Sequence, residues 1–166
     1  YTIRNFRKKN LELDIDFANH IGKKGLATSW ALNARIGDKI LISGPGSKQI
    51  IKQKVDWFFF IGDMSALPAI CTYLEDLNKD VMGIAIIEIM DDSDKIKFDM
   101  PDKFKIIWVV NKKRVQKTSC LCDFVQSLKW LKGIPYIWVA CEFNNMKILR
   151  NYFQNVKGID KNDMYI

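Results

Sequence analysis

Trp57-Phe58-Phe59-Phe60-Ile61-Gly62-Asp63-Met64-Ser65-Ala66-Leu67-Pro68-Ala69-Ile70 is the stretch that decides the fold. Five consecutive apolar residues run into Gly-Asp, and a helical pattern follows from Ser65 to about Leu77. An apolar run of this length, closed by a turn and followed by a helix, reads as a strand buried on both faces, the kind found in parallel sheets covered by helices. The pattern recurs at Met82 to Met90, Ile106 to Val110 and Tyr136 to Ala140. Helices are expected over about Ser119 to Leu131 and about Glu142 to Val156. Between the second and third strands, Asp91 to Lys103 holds five Asp in thirteen residues and reads as a surface connection.

Before Trp57 the rhythm is different. Tyr1 to Arg7 and Leu11 to Phe17 both alternate, with Lys8-Lys9-Asn10 between them, which predicts an antiparallel hairpin with one wet face. Gly22-Lys23-Lys24-Gly25 is a turn opening a short helix near Ala27 to Ala34 that stops before Gly37-Asp38. Lys39 to Ser43 then reads as a strand ending in Gly44-Pro45-Gly46. The fold class expected is therefore α/β with an all-β part, barrel-like over residues 1–56 and a Rossmann-like parallel sheet over 57–166.

Composition narrows the function classes. The chain has 166 residues, 48% of them apolar, with 9 Gly and 4 Pro, which is enough to bury a core without needing disulfide or metal staples. Trp57 to Ile61 and Met82 to Ile87 reach about a third of the ~20 residues that cross a bilayer, so no membrane span is expected. Tyr1 to Asn10 is charged and strand-like with no apolar run after it, so no signal peptide and a cytoplasmic protein are expected. Cys71, Cys120, Cys122 and Cys141 form no CxxC pair and the lone histidine is His20, so no metal site is expected.

The net charge of +7 is uneven. Residues 1–56 carry eleven Lys/Arg against five Asp/Glu, and residues 57–166 fifteen against fourteen. The excess points to an anionic ligand at the first part. Aromatics near it are few and strand-like, which gives little of the stacking platform single-stranded nucleic acid needs, so no nucleic-acid partner is expected.

Four short stretches carry candidate chemistry. Thr2 and Arg4 share one face of a regular strand, with Tyr1 adjacent; an aromatic plane, a hydroxyl and a guanidinium suit a flat heteroaromatic ring joined to a phosphate. In His20 to Ala31, small residues ahead of a helix start leave backbone N–H groups open to a pyrophosphate, with Thr28 and Ser29 as hydroxyl donors. Gly62 to Ile70 places a turn at the carboxyl end of a parallel strand, where open α/β sheets take nucleotides, although GxGxxG is absent. Trp138-Val139-Ala140-Cys141-Glu142 repeats that strand-to-helix step.

Taken in order, these stretches resemble the siderophore-interacting protein family, flavin-dependent ferric-siderophore reductases on the ferredoxin–NADP reductase-like plan. Tyr1-Thr2-Ile3-Arg4 is similar to the family's Arg-x-Tyr-Thr-x-Arg flavin motif without its first two positions. Leu13-Asp14-Ile15-Asp16-Phe17, His20, Gly22 and Gly25 to Ala31 resemble its Asp-hydrophobic-Asp-Phe, His-Gly and Gly-Pro-Ala-x-x-Trp-Ala run. Gly62 to Ile70 resembles Gly-Asp-Glu-Thr-Ala-Leu-Pro-Ala-Ile, Ile87-Glu88 resembles Ile-Glu, and Trp138 to Glu142 resembles Trp-Val-Ala-Gly-Glu. Leu26 replaces a usual Pro, Met64-Ser65 a usual acid-Thr pair and Cys141 a Gly; Asn111 stands where a basic residue often follows the Trp108 strand, ahead of Lys112, Lys113 and Arg114.

The resemblance implies residues 1–56 as the later portion of an FAD-binding β-barrel and 57–166 as an NAD(P)H-binding domain, with NADPH or NADH as electron donor and a ferric siderophore as substrate. It implies Tyr1 packed on the isoalloxazine, Thr2 bonding its reactive edge, Arg4 on a flavin phosphate, and His20, Ala27, Thr28 and Ser29 along the ribityl-pyrophosphate. It implies Gly62, Asp63 and Ser65 lining the nicotinamide nucleotide crevice, with Glu142 nearby. Arg7, Lys8, Lys9, Lys23 and Lys24 are the candidates for attracting an anionic ferric siderophore. The other readings are a flavin or ferredoxin reductase and a basic, non-enzymatic binding module. The opening barrel strands of the family lie before Tyr1, so the chain alone is expected to be weakly flavin-loaded and to self-associate through an exposed barrel edge.

Overall fold

The computed structural model of the chain describes residues 1–18, 25–43, 55–112 and 120–166, in two compact units, Tyr1–Ile50 and Ile51–Ile166. Val55 and Asp56 are tied to the second unit. Val55 packs against its core, and the Asp56 carboxylate accepts the Ile134 N–H at 2.6 Å.

In the first unit, β1 (Thr2–Arg7) and β2 (Glu12–Asp16) pair antiparallel, as the alternation predicts. The register passes from Ile3–Ile15 to Asn5–Asp14, so Arg4 is the extra residue of a β-bulge. A bulge interrupts the two-residue alternation from which a shared face for Thr2 and Arg4 is expected. Helix α1 (Leu26–Asn33) follows, and the chain leaves it through a turn in which Asp38 accepts the Arg35 N–H at 2.8 Å. The strand expected over Lys39 to Ser43 is absent. Its β-branched residues favour an extended chain, but a strand also needs a neighbour to pair with, and none of the described residues supplies one. Ile40, Leu41 and Ile42 are exposed there.

The second unit is a five-stranded parallel sheet in the order β5-β4-β3-β6-β7. Its strands are β3 (Trp57–Asp63), β4 (Met82–Ile89), β5 (Lys103–Val110), β6 (Pro135–Ala140) and β7 (Met164–Tyr165). Side chains of β3 alternate between two cores. Trp57, Phe59 and Ile61 meet α3 (Cys120–Ser127) and α4 (Phe143–Asn151), while Phe58 and Phe60 meet α2 (Leu67–Asp76). Each large apolar side chain buried this way contributes about 1.5–3 kcal/mol, which is why the continuous apolar run specifies the centre of the sheet.

The expected elements shift at their ends. Helix α2 begins at Leu67 rather than Ser65, because Asp63 holds Ser65 in a turn. Helix α3 ends at Ser127, whose hydroxyl donates to the Phe124 carbonyl at 2.9 Å. Helix α4 stops at Asn151 and widens into a π-helical turn over Tyr152–Val156, which buries the consecutive aromatics Tyr152 and Phe153. The surface connection after β4 contains a single 3-10 turn, Asp92–Asp94, and β5 opens on its last residue, Lys103.

Candidate functional site

In the first unit, Tyr1, Phe17 and Trp30 form an aromatic row, with ring centroids 6.0 Å apart between Tyr1 and Phe17 and 6.1 Å between Phe17 and Trp30. The row lines a cleft of about 220 Å³ completed by Ile15, Ala27 and the chain from Ile40 to Ser43. Tyr1 and Ala27, far apart in sequence, thus share one cleft. Phe17 and Trp30 belong to it without having been assigned a role, although both stand inside the motifs quoted above.

The N-terminus of α1 borders this cleft through Ala27. Gly25 caps the helix without a side-chain hydrogen bond, and no acidic residue stands in the first turn. Among the described residues nothing occupies its first amides, where the positive end of the helix dipole favours an anion. Thr28 is buried and its hydroxyl donates to the Ala18 carbonyl at 3.2 Å, which ties the helix to the end of the hairpin and engages the hydroxyl expected on the pyrophosphate. One residue on, Ser29 is half-buried. The helical phase relative to the hairpin, which sequence periodicity does not set, separates the two hydroxyls.

Arg7 is not a free cation. Its guanidinium grips Asp14 through both terminal nitrogens at 2.6 Å and Glu12 at 2.8 Å, and these carboxylates more than cancel its charge. The hydrogen bond from Arg7 holds the Asp14 carboxyl well below the usual range and lowers Glu12 as well. Lys8 and Lys9 remain exposed at the hairpin turn. His20, Lys23 and Lys24 lie outside the described residues.

In the second unit the strand order reverses direction between β3 and β6, the switch point at which open parallel sheets take ligands at the carboxyl ends of their strands. Gly62 and Ala140 are paired there, and Asp63, Ser65 and Glu142 follow within two or three residues. Gly62 is required by packing. A Cβ at this position would lie 2.7 Å from the Ala66 Cβ and 2.8 Å from the Ile70 Cδ1, so its absence lets α2 approach the strand end.

The carboxylates at this end are already engaged. Asp63 accepts from the Ser65 N–H at 2.8 Å and from the Ser65 hydroxyl at 2.5 Å. Glu142 caps α4, accepting the Asn144 N–H at 2.8 Å. Glu88, on β4 in register with Asp63, is buried and accepts the Leu121 N–H of α3 at 3.2 Å. Helices α3 and α4 thus carry internal anions at their N-termini, whereas α2 has neither a side-chain cap nor an acid in its first turn. It is the helix start of this unit that suits a phosphate. The signal for Glu88 in the sequence is a lone acid in an otherwise apolar strand, since a buried carboxylate must find a donor.

Two thiols sit beside these acids. Burial, reinforced by Asp63, Glu142 and Glu88, pushes the Cys141 thiol up to about 12, and burial with Asp123 and Glu88 pushes Cys122 up to about 11. Both are protonated at neutral pH and poor nucleophiles.

The sequence model described as siderophore-interacting FAD-binding domain matches residues 1–49, and that of siderophore-interacting protein matches residues 55–166. The ferric vibriobactin reductase ViuB of Vibrio cholerae is 30% identical over 167 residues, covering 99% of this chain and 61% of that protein. The ferric acinetobactin reductase of Acinetobacter baumannii is 27% identical, covering 100% of this chain and 58% of that protein. Among solved structures, a siderophore-interacting protein from Acinetobacter baumannii superposes with a TM-score of 0.88 at 26% identity, over 100% of this chain and 66% of that one. SipS of Aeromonas hydrophila superposes at 0.82 with 29% identity, over 98% and 68%. The chain spans about three fifths of the length of the curated relatives it matches. With both sequence models matched in order along its length, the chain belongs to the siderophore-interacting protein family.

Proposed function

We propose that the protein is a flavin-dependent reductase that moves electrons from NAD(P)H through FAD to a ferric siderophore, releasing Fe(II) for iron assimilation from a cytoplasmic nucleotide pool. The observation that carries this reading is the aromatic cleft beside the uncapped start of α1, the combination a flat ring joined to a pyrophosphate requires. FAD, when bound, supplies a ring that accepts a hydride and returns its electrons singly. Tyr1 packs on that ring, Thr2 bonds its edge and Arg4 meets a phosphate. The small Ala27, with Ser29, the first-turn amides of α1 and His20, holds the pyrophosphate.

The pyridine nucleotide lies at the β3–β6 switch point, with its phosphates on the start of α2 past Gly62 and with Asp63, Ser65 and Glu142 at the margin. Lys8, Lys9, Lys23 and Lys24 draw in the anionic ferric chelate, and Arg7 acts indirectly by fixing the hairpin that presents Lys8 and Lys9. The names of the relatives, ferric vibriobactin and ferric acinetobactin reductase, support a ferric chelate as substrate. Reduction loosens the iron because hard oxygen donors hold Fe(II) less firmly than Fe(III). The two edges of the β1–β2 sheet, unpaired among the described residues, support self-association through added strands.

The test is anaerobic Fe(II) formation by the protein expressed from its complete gene, with FAD, NAD(P)H, a ferric siderophore and a ferrous-specific trap. Because a hydride carries two electrons, a pair of Fe(II) is expected per nucleotide oxidised. Nucleotide oxidation that reduces added free flavin but yields no Fe(II) would make the protein a flavin reductase instead.

A further inference from the structure

We propose that β5 is a dimerisation strand: two copies of this chain join edge to edge through Ile106 to Val110, continuing the sheet of the second unit across a two-fold axis at Trp108. The strand ends the order β5-β4-β3-β6-β7, so its outer edge has no neighbour among the described residues. Its sequence is nevertheless that of an interior strand. Ile106-Ile107-Trp108-Val109-Val110 is an unbroken apolar run like the one in β3, yet all five residues are half-buried, whereas β3 is fully buried from Trp57 to Gly62. A long apolar edge is a template for another strand, and the lysines that blunt the start of this one, Lys103 and Lys105, stop short of the run.

The backbone sets the register. In the parallel pair of β4 and β5, alternate residues of β5 bond to β4 and those between them point outward. The Asn111 N–H donates to the Ile89 carbonyl at 2.8 Å, which puts the odd-numbered residues on the β4 side and Phe104, Ile106, Trp108 and Val110 on the open side. The Phe104 N–H already donates to the Pro101 carbonyl at 3.0 Å. The outward amides that remain, those of Ile106, Trp108 and Val110, are spaced symmetrically about Trp108, and so is the apolar run. In an antiparallel pair with its two-fold axis at Trp108, Ile106 faces the partner's Val110 and Trp108 faces the partner's Trp108, so each of these N–H groups meets an outward carbonyl. Ile107 then lies beside the partner's Val109, and Lys105 beside the partner's Asn111. A second copy of this chain therefore satisfies the edge with no group left over. Residues 113–119 are too short to do so. Asn111 and the start of α3, where Glu88 accepts the Leu121 N–H, both lie at the carboxyl end of the sheet, and seven residues of about 3.3–3.6 Å each that leave and return there reach only partway along the run.

The test uses the protein expressed from its complete gene. Sedimentation equilibrium of the wild type should show a monomer–dimer equilibrium in the micromolar range, as expected of a small interface, and amide exchange at Ile106, Trp108 and Val110 should slow as the concentration rises. Trp108→Lys sets two ammonium groups opposite each other at the axis and Trp108→Glu two carboxylates, so each variant alone should dimerise about tenfold more weakly, and an equimolar mixture of the two should recover the dimer. Ile106→Pro removes an outward N–H without touching the ladder to β4, and should weaken the dimer with Trp108 in place. Thermal unfolding shows which variants are folded, and the exchange measurement on the wild type decides the matter even if none is. A wild type that stays monomeric, a dimer whose three amides exchange as they do in the monomer (as they would if the β1–β2 sheet made the contact), or folded variants that dimerise like the wild type would overturn the proposal.

Discussion

Gly62→Ala tests whether the end of β3 and the start of α2 are built around a missing side chain. The added Cβ would stand 2.7 Å from the Ala66 Cβ, 2.8 Å from the Ile70 Cδ1 and 3.1 Å from the Ala140 carbonyl oxygen, where carbon–carbon contacts prefer about 3.5–4.0 Å. The Ile70 methyl can rotate away. The Ala66 Cβ is fixed to the helix backbone and the Ala140 oxygen to a paired strand, so the first turn of α2 must retreat by roughly an ångström. Overpacking of this kind costs about 1–3 kcal/mol, and with two of three contacts immovable the upper half is expected, about 2–3 kcal/mol. For a unit of this size that is a fall of roughly 8–12 °C in Tm. Urea unfolding followed by tryptophan fluorescence reads it directly, since Trp57, Trp108, Trp130 and Trp138 all lie in this unit and only Trp30 lies outside it. The urea midpoint should drop with an unchanged slope, and NADH affinity should fall as the α2 amides move. A stability loss below about 0.5 kcal/mol would show that the close approach is not what requires glycine here.

Three further outcomes are expected. Thr28→Val removes the hydroxyl that serves the Ala18 carbonyl and should destabilise the first unit by about 1 kcal/mol in thermal unfolding followed through Trp30, with flavin affinity in the folded protein unchanged; a selective loss of flavin would return Thr28 to the pyrophosphate. Glu142→Ala strips the cap from α4 and should cost about 1 kcal/mol by urea unfolding, whereas Glu142→Asp, a good capping residue, should recover most of it. The Cys141 thiol keeps its proton to about 12 when folded and releases it near 9.0 when unfolded, so the folded state binds more protons between those values; stability is full below about pH 9 and declines as pH rises toward 12, and Cys141→Ala should flatten that decline between urea midpoints taken at about pH 8 and about pH 10.

What could be read from the sequence was what burial dictates. Trp57 to Ile61 announces a central strand because five apolar residues in a row are stable only between two covered faces, and α2, β4 and β6 follow with their ends shifted by a residue or two. Strand β7 escaped because two residues, Met164 and Tyr165, carry no period. The strand expected over Lys39 to Ser43 failed for the opposite reason: propensity was read where no described neighbour completes a ladder. At the sites, residue types were legible and their engagements were not. Charge counting cannot see that Arg7 is held by Asp14 and Glu12, nor that Thr28 faces Ala18, because both depend on the hairpin register and the phase of α1. Glu88 was visible as an acid in an apolar strand, and its partner on α3, thirty-three positions away, was not.

The most direct measurement of the central claim is an anaerobic pair of half-reactions on the protein expressed from its complete gene and loaded with FAD. Addition of NADH should bleach the flavin absorption band, and a ferric siderophore added next should restore it, with Fe(II) appearing in the trap in proportion. A flavin band that NADH and NADPH both leave intact, or a reduced flavin that the ferric siderophore does not reoxidise, would contradict the account.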